Sequence, residues 1–96
     1  MNQLEILRES LGQCDEIILD ALLMRNRIVE DIMAYKEAND IPILQPEQEA
    51  KQKEWLERRM ADRRHKAEVE DVFGSITQNS KRIQARKLFN YNIVLI

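Results

Sequence analysis

Apolar residues recur along the first third of the chain with a period of seven. Leu4, Leu11, Ile18, Arg25 and Ile32 form one series, and Leu7, Cys14, Ala21, Ile28 and Tyr35 form the interleaved one. Two such series make the a/d seam of a helix. Ile17, Leu22, Val29 and Met33 widen the apolar face beyond a strict seam. The pattern predicts one helix from about Gln3 to about Asn39. Asn39-Asp40 supplies its stop, and Pro42 pushes the residue before it out of the helical region. Such a helix is about 55 Å long at 1.5 Å per residue. A compact chain of this length has a radius of gyration of only ~12–13 Å. The helix therefore overhangs its own domain, and its apolar face needs a cover. A second copy of the chain is the simplest one, so an intertwined homodimer is expected.

Ile41-Pro42-Ile43-Leu44-Gln45 reads as a short extended link. Pro46 suits the first position of a second helix, and Glu47 and Glu49 place negative charge at its positive end. This helix is expected to run from Pro46 to about Arg64. Its apolar content is thin: Ala50, Trp55, Leu56, Met60 and Ala61. A third helix is expected from about Ala67 to Leu88. Val69, Val72, Phe73, Ile76, Thr77, Ser80, Ile83 and Gln84 share one stripe of it. The tail, Phe89 to Ile96, ends in four apolar residues and reads as a strand-like piece or a segment docked on the helices. The expected fold is all-α, a three-helix chain with a long first helix, in a single domain over 1–96.

Composition agrees with this pattern and narrows the chemistry. The 96 residues contain two Gly and two Pro, too few for a turn-rich all-β design. The two glycines, Gly12 and Gly74, lie too far apart for any glycine-rich phosphate loop. Net charge is −2, so no global basic field draws in nucleic acid. One cysteine, Cys14, allows no intramolecular disulfide and fits a reducing compartment. The polar, acidic start does not read as a signal peptide, and no apolar run reaches the ~18 residues of a membrane span. The chain reads as a soluble cytoplasmic protein that engages neither membrane nor nucleic acid. His65 is the only histidine and lies in a charge cluster, so neither a metal site nor Ser-His chemistry is supported. The basic cluster from Arg58 to Lys66 reads as a solvated helix end, and Cys14 as a small buried hydrophobe.

Polar residues on faces that should be apolar carry the functional signal. Arg25 occupies a seam position, where a guanidinium without an anionic partner is expensive. It reads either as half of an intrachain or interchain salt bridge, for example to a Glu of helix 2, or as a ligand for an anion. Lys36 follows eleven residues later on the same face. It reads either as a cation complementing the helix dipole, or as a second cation bracketing a small dianion with Arg25. Ser80 and Gln84 are an i, i+4 pair in the inward stripe of helix 3. They read as satisfied core polar groups or as donors in the same pocket. Arg8, at the far end of helix 1, sits about 100° around from Arg25. It cannot easily serve the same intrachain pocket, but an antiparallel dimer would bring it to a partner's.

The chain resembles the all-α class of chorismate mutases over about residues 4–86. The matching pieces are Leu7-Arg8-Glu9 with Asp15, Leu22-Leu23-Met24-Arg25-Asn26-Arg27, Ala34-Tyr35-Lys36, Ile41-Pro42-Ile43 leading to Pro46-Glu47-Gln48-Glu49, and Ser80-Lys81-Arg82-Ile83-Gln84. The resemblance implies two intertwined three-helix chains, each site built from both. It implies conversion of chorismate to prephenate by a pericyclic rearrangement, with no cofactor and no metal. By the same resemblance Arg25 and Ser80 bind the ring carboxylate, and Arg8 of the other subunit takes the enolpyruvyl carboxylate. Lys36 and Gln84 donate to the ether oxygen, and Glu49 accepts from the ring hydroxyl. Gln48 stands in the substrate-binding set where the family usually has Arg, and Gln45 where it commonly has Asp. Losing a cation from a site for a dianion weakens binding, and Lys51, one turn on, partly offsets the loss. Two alternatives stay open: an isochorismate pyruvate lyase, and a non-catalytic helical regulatory or interaction module with a degenerate site.

Overall fold

The computed structural model describes residues 1–43 and 45–93, with 87–93 by backbone alone. Three helices follow one another: α1 (Gln3–Ala38), α2 (Pro46–Met60) and α3 (Lys66–Ile93). There is no strand among the described residues.

Both ends of α1 are capped by asparagine. The side chain of Asn2 accepts from the Glu5 N–H at 2.8 Å, so one of the four orphan donors of the first turn is satisfied. At the other end the Asn39 N–H donates to the carbonyls of Tyr35 and Lys36. Asp40 then turns left-handed at φ 53°, and the Ile41 N–H reaches back to the Lys36 carbonyl at 2.9 Å. This six-to-one closure is the C-terminal signature of a Schellman motif. It turns the chain sharply into the link that leads to α2. The helix ends within a residue of the expected place.

The expectations for α2 and α3 need correction. α2 stops at Met60 rather than Arg64. Asp62 and His65 both take positive φ, 58° and 61°, and the Arg63 N–H closes a turn onto the Met60 carbonyl. Asp and His are among the non-glycine residues that adopt this region most readily. A chain with neither Gly nor Pro at this point can therefore still turn. α3 starts at Lys66 and continues to Ile93, so residues 89–93 are helical and not strand-like. A terminal strand needs a sheet edge for its backbone groups, whereas a helix satisfies them internally. Residues 94–96 lie outside the described residues.

α1 and α3 pack alongside each other. Val29 and Met33 are the buried apolar side chains among the described residues. Beside them three polar side chains are also buried: Lys36, Ser80 and Gln84. α2 buries no residue fully. It lies against α3 through an edge-to-face contact of Trp55 with Phe73, ring centroids 5.9 Å apart, and through ion pairs at each end, Glu49–Lys81 and Glu57–Lys66. No described helix is long and apolar enough to cross a membrane.

Candidate active site

The buried polar residues face a cavity of about 630 Å³. α1 contributes Arg25 and Lys36 to its wall, the link contributes Ile43 and Gln45, α2 contributes Gln48, Glu49 and Lys51, and α3 contributes Ser80 and Gln84. Six of the seven residues singled out from the sequence thus converge on one space. Arg8 is the exception: it is exposed and does not line this cavity. It lies 17 residues before Arg25 on the same helix, about 25 Å along the axis.

Within the cavity wall each group is fixed by another. Arg25 Nη1 donates to Ser80 Oγ, and Ser80 Oγ donates in turn to the Ile76 carbonyl at 3.0 Å. Lys36 Nζ donates to the Ile43 carbonyl at 2.8 Å and to Gln84 Oε1 at 3.2 Å. Gln84 Nε2 donates to the Ser80 carbonyl at 3.3 Å. The i, i+4 spacing of Ser80 and Gln84 places that carbonyl within reach. The link matters here because its sharp entry brings the Ile43 carbonyl under the Lys36 ammonium.

The donor inventory leaves capacity unused. An ammonium has three hydrogens, a guanidinium five and a primary amide two. Among the described residues Lys36 uses two of three, Arg25 one of five and Gln84 one of two. Lys36 is 8% exposed, and among the described residues neither it nor Arg25 has a carboxylate within 4.0 Å. Of the two readings of Arg25, the intrachain salt bridge to a Glu of α2 is not formed among the described residues; Ser80 holds the guanidinium instead. Three cations line the cavity, Arg25, Lys36 and Lys51, against one carboxylate, Glu49. That carboxylate is already matched, because Glu49 Oε1 lies 2.6 Å from Lys81 Nζ. Buried positive charge without a partner is costly, and an anion entering the cavity offsets that cost. Among the described residues no cluster of His, Cys, Asp and Glu is placed to hold a metal ion.

Two contributors were not identifiable from the sequence. The Ile43 carbonyl is a backbone group whose availability depends on the path of the link. Lys81 lies beside Ser80 in the chain but reaches across to Glu49, 32 positions away, and no local pattern announces that contact.

A family model described as chorismate mutase type II matches residues 7–85. The matched span contains every cavity residue named above, and Arg8. No curated protein and no solved structure matches the chain.

Proposed function

Because the chain belongs to the chorismate mutase type II family, we propose that it is a chorismate mutase, converting chorismate to prephenate at a site shared between two copies of the chain. The observation that carries the reading is the pair of inward cations, Arg25 and Lys36, lining one cavity with unused donors and no carboxylate partner among the described residues. Chorismate is a dianion, and its charge matches that need.

The rearrangement is intramolecular. The ether C–O bond breaks as a C–C bond forms, and six electrons move around a ring with no proton transferred. The protein has only to hold the reactive conformer and stabilise the charge that develops. Arg25 takes the ring carboxylate, with Ser80 fixing the plane of its guanidinium. Arg8 of a second copy takes the enolpyruvyl carboxylate. The remaining hydrogens of Lys36 and Gln84 meet the ether oxygen, where negative charge grows as the C–O bond lengthens. Both donors are tethered before substrate arrives, so they reorganise little in the transition state. Glu49 accepts from the ring hydroxyl, and Gln48 and Lys51 complete the wall on the α2 side. The dimer, a role in aromatic amino-acid biosynthesis and a cytoplasmic location complete the proposal.

The decisive assay is loss of chorismate absorbance with purified protein, with prephenate identified as product. A folded dimer that gives no rate above the uncatalysed background would sink the proposal. Pyruvate release from isochorismate without conversion of chorismate would assign the lyase activity instead.

A further inference from the structure

Glu49 stands in the wall between two cavities. It lines the site cavity, and with Gln52 and Thr77 it also lines a second cavity of about 420 Å³ between α2 and α3. Lys81 lines only the second. From that side its Nζ comes within 2.6 Å of Glu49 Oε1. Among the described residues this is the ion pair each of the two groups makes.

Nothing else fixes Glu49 strongly. It belongs to the first turn of α2, whose N-cap, Gln45, makes no side-chain capping bond, and α2 buries no residue fully. A turn with so little packing is free to shift against its neighbour. Lys81 lies on the same helix as Ser80 and Gln84, one residue after the first and three before the second. An ion pair to Lys81 therefore locates the Glu49 carboxylate with respect to the helix that carries those two residues. Only Oε1 takes part, which leaves Oε2 with its lone pairs for another donor. Both side chains are more than a third exposed, so the pair adds little to stability. Its consequence is positional.

We propose that Lys81 is a positioning residue of the active site: from the second cavity it holds Glu49 by one oxygen so that the other accepts from a hydroxyl on the substrate ring. The inference rests on the mutase reading, since it takes the hydroxyl of chorismate as the group Glu49 receives. It adds a cation that never touches substrate, on the far side of the wall.

The test compares the wild type with Lys81→Met, Lys81→Arg, Glu49→Gln and the Lys81→Met, Glu49→Gln double variant. Two substrates are used, chorismate and an analogue lacking the ring hydroxyl. The hydroxyl is not among the rearranging bonds, so its contact binds ground and transition state alike and affects KM more than kcat. Lys81→Met is expected to raise KM for chorismate about tenfold with kcat within about twofold, the scale of one displaced charge-assisted contact. Lys81→Arg restores KM. In the Glu49→Gln background, Lys81→Met adds less than about twofold, the non-additivity of residues acting through one contact. On the analogue, wild type and Lys81→Met have equal KM. A purely structural lysine would lower activity equally on both substrates and in both backgrounds, and that result overturns the inference. So does an unchanged KM in Lys81→Met. Should Lys81→Met fail to fold, by circular dichroism, Lys81→Gln is carried through the same comparison. An inactive wild type would overturn the mutase reading and this inference together; an active wild type with any of the contrary patterns overturns this inference alone.

Discussion

Arg25, Lys36 and Gln84 each hold a neighbour with part of their hydrogen-bonding capacity and keep part free. That division predicts unequal effects of substitution. On the proposed reading Arg25→Ala removes a charged contact to substrate, and a hydrogen bond to a charged group is worth ~1.5–3 kcal/mol, so kcat/KM should fall by about 10- to 150-fold. Ser80→Ala keeps the guanidinium and its charge and removes only its anchor, so kcat/KM should fall less than in Arg25→Ala. Steady-state kinetics on both variants checks the order; an equal loss in the two would mean that Ser80 itself binds substrate. Gln84 allows a pH test. An amide donates at any pH, whereas a carboxyl donates only when protonated, with an ordinary value near ~4.3 for Glu. Lys36 beside it favours the ionised form further. Gln84→Glu should therefore be nearly inactive at neutral pH and gain about tenfold in rate per unit of acidification between about pH 7 and 5. A flat profile would remove Gln84 from the ether oxygen. These three residues were legible because each is polar where the helical period demands an apolar side chain. The Arg25–Ser80 bond itself was not legible. It spans 55 positions, and only the packing of α1 on α3 brings the two side chains together.

At the scale of elements, α1 was readable almost to the residue because its periodic run is long and Asn39-Asp40 before Pro42 marks its stop. α2 was not. Its C-terminal stretch, Arg58 to Lys66, contains good helix formers and no Gly or Pro, so propensity extends the helix. The actual stop is made by left-handed Asp62 and His65, and by the gain from laying α3 back along α2 and α1. The turn is secured by Lys66, the first residue of α3. Its Nζ lies 3.3 Å from Glu57 of α2 and 3.7 Å from Glu70. The hydrogen bond to Glu57, then the charges of Glu57 and Glu70, raise the Lys66 pKa above the ordinary lysine value of 10.5. A raised pKa in the folded state means that the folded chain holds this proton more tightly than the unfolded one. The stabilisation is then complete below the ordinary lysine value and is lost as pH rises through the higher folded value. Wild type should accordingly melt slightly above Lys66→Met at neutral pH, with the gap closing in strongly alkaline solution. Melting curves across that range decide it, and a gap that widened with pH would contradict the pairing.

At the scale of the molecule, one chain does not enclose itself. Its radius of gyration is 17.6 Å and its long axis 57 Å, against ~12–13 Å for a compact chain of this size. Leu4, Leu7, Leu11, Ile18 and Ile28 along α1 are all half-exposed or more. An apolar stripe of that length is unusual on a monomer. On the proposed reading the site also needs Arg8, which lies about 25 Å along α1 from Arg25. Antiparallel pairing of two α1 helices answers both needs, since it covers the stripe and carries Arg8 toward the other chain's cavity. Both the overhang and the separation of Arg8 from Arg25 were legible in the sequence; the wall that α2 and the link add to the cavity was not, because only the packed helices bring those residues opposite Arg25 and Lys36. Ile18→Asp places a carboxylate in the middle of the stripe and should shift sedimentation to that of a monomer, with activity lost although no site residue has changed. Complementation is the sharper measurement. Arg8→Ala and Arg25→Ala should each keep about a tenth of wild-type activity or less alone. After subunit exchange in equal amounts, half of the dimers are mixed, and each mixed dimer has one site with both arginines intact. Activity should then return to about one quarter of wild type, the fraction that random pairing of two chains dictates. Verified exchange with no recovery would mean that each chain completes its own site, and the role given to Arg8 would have to be abandoned.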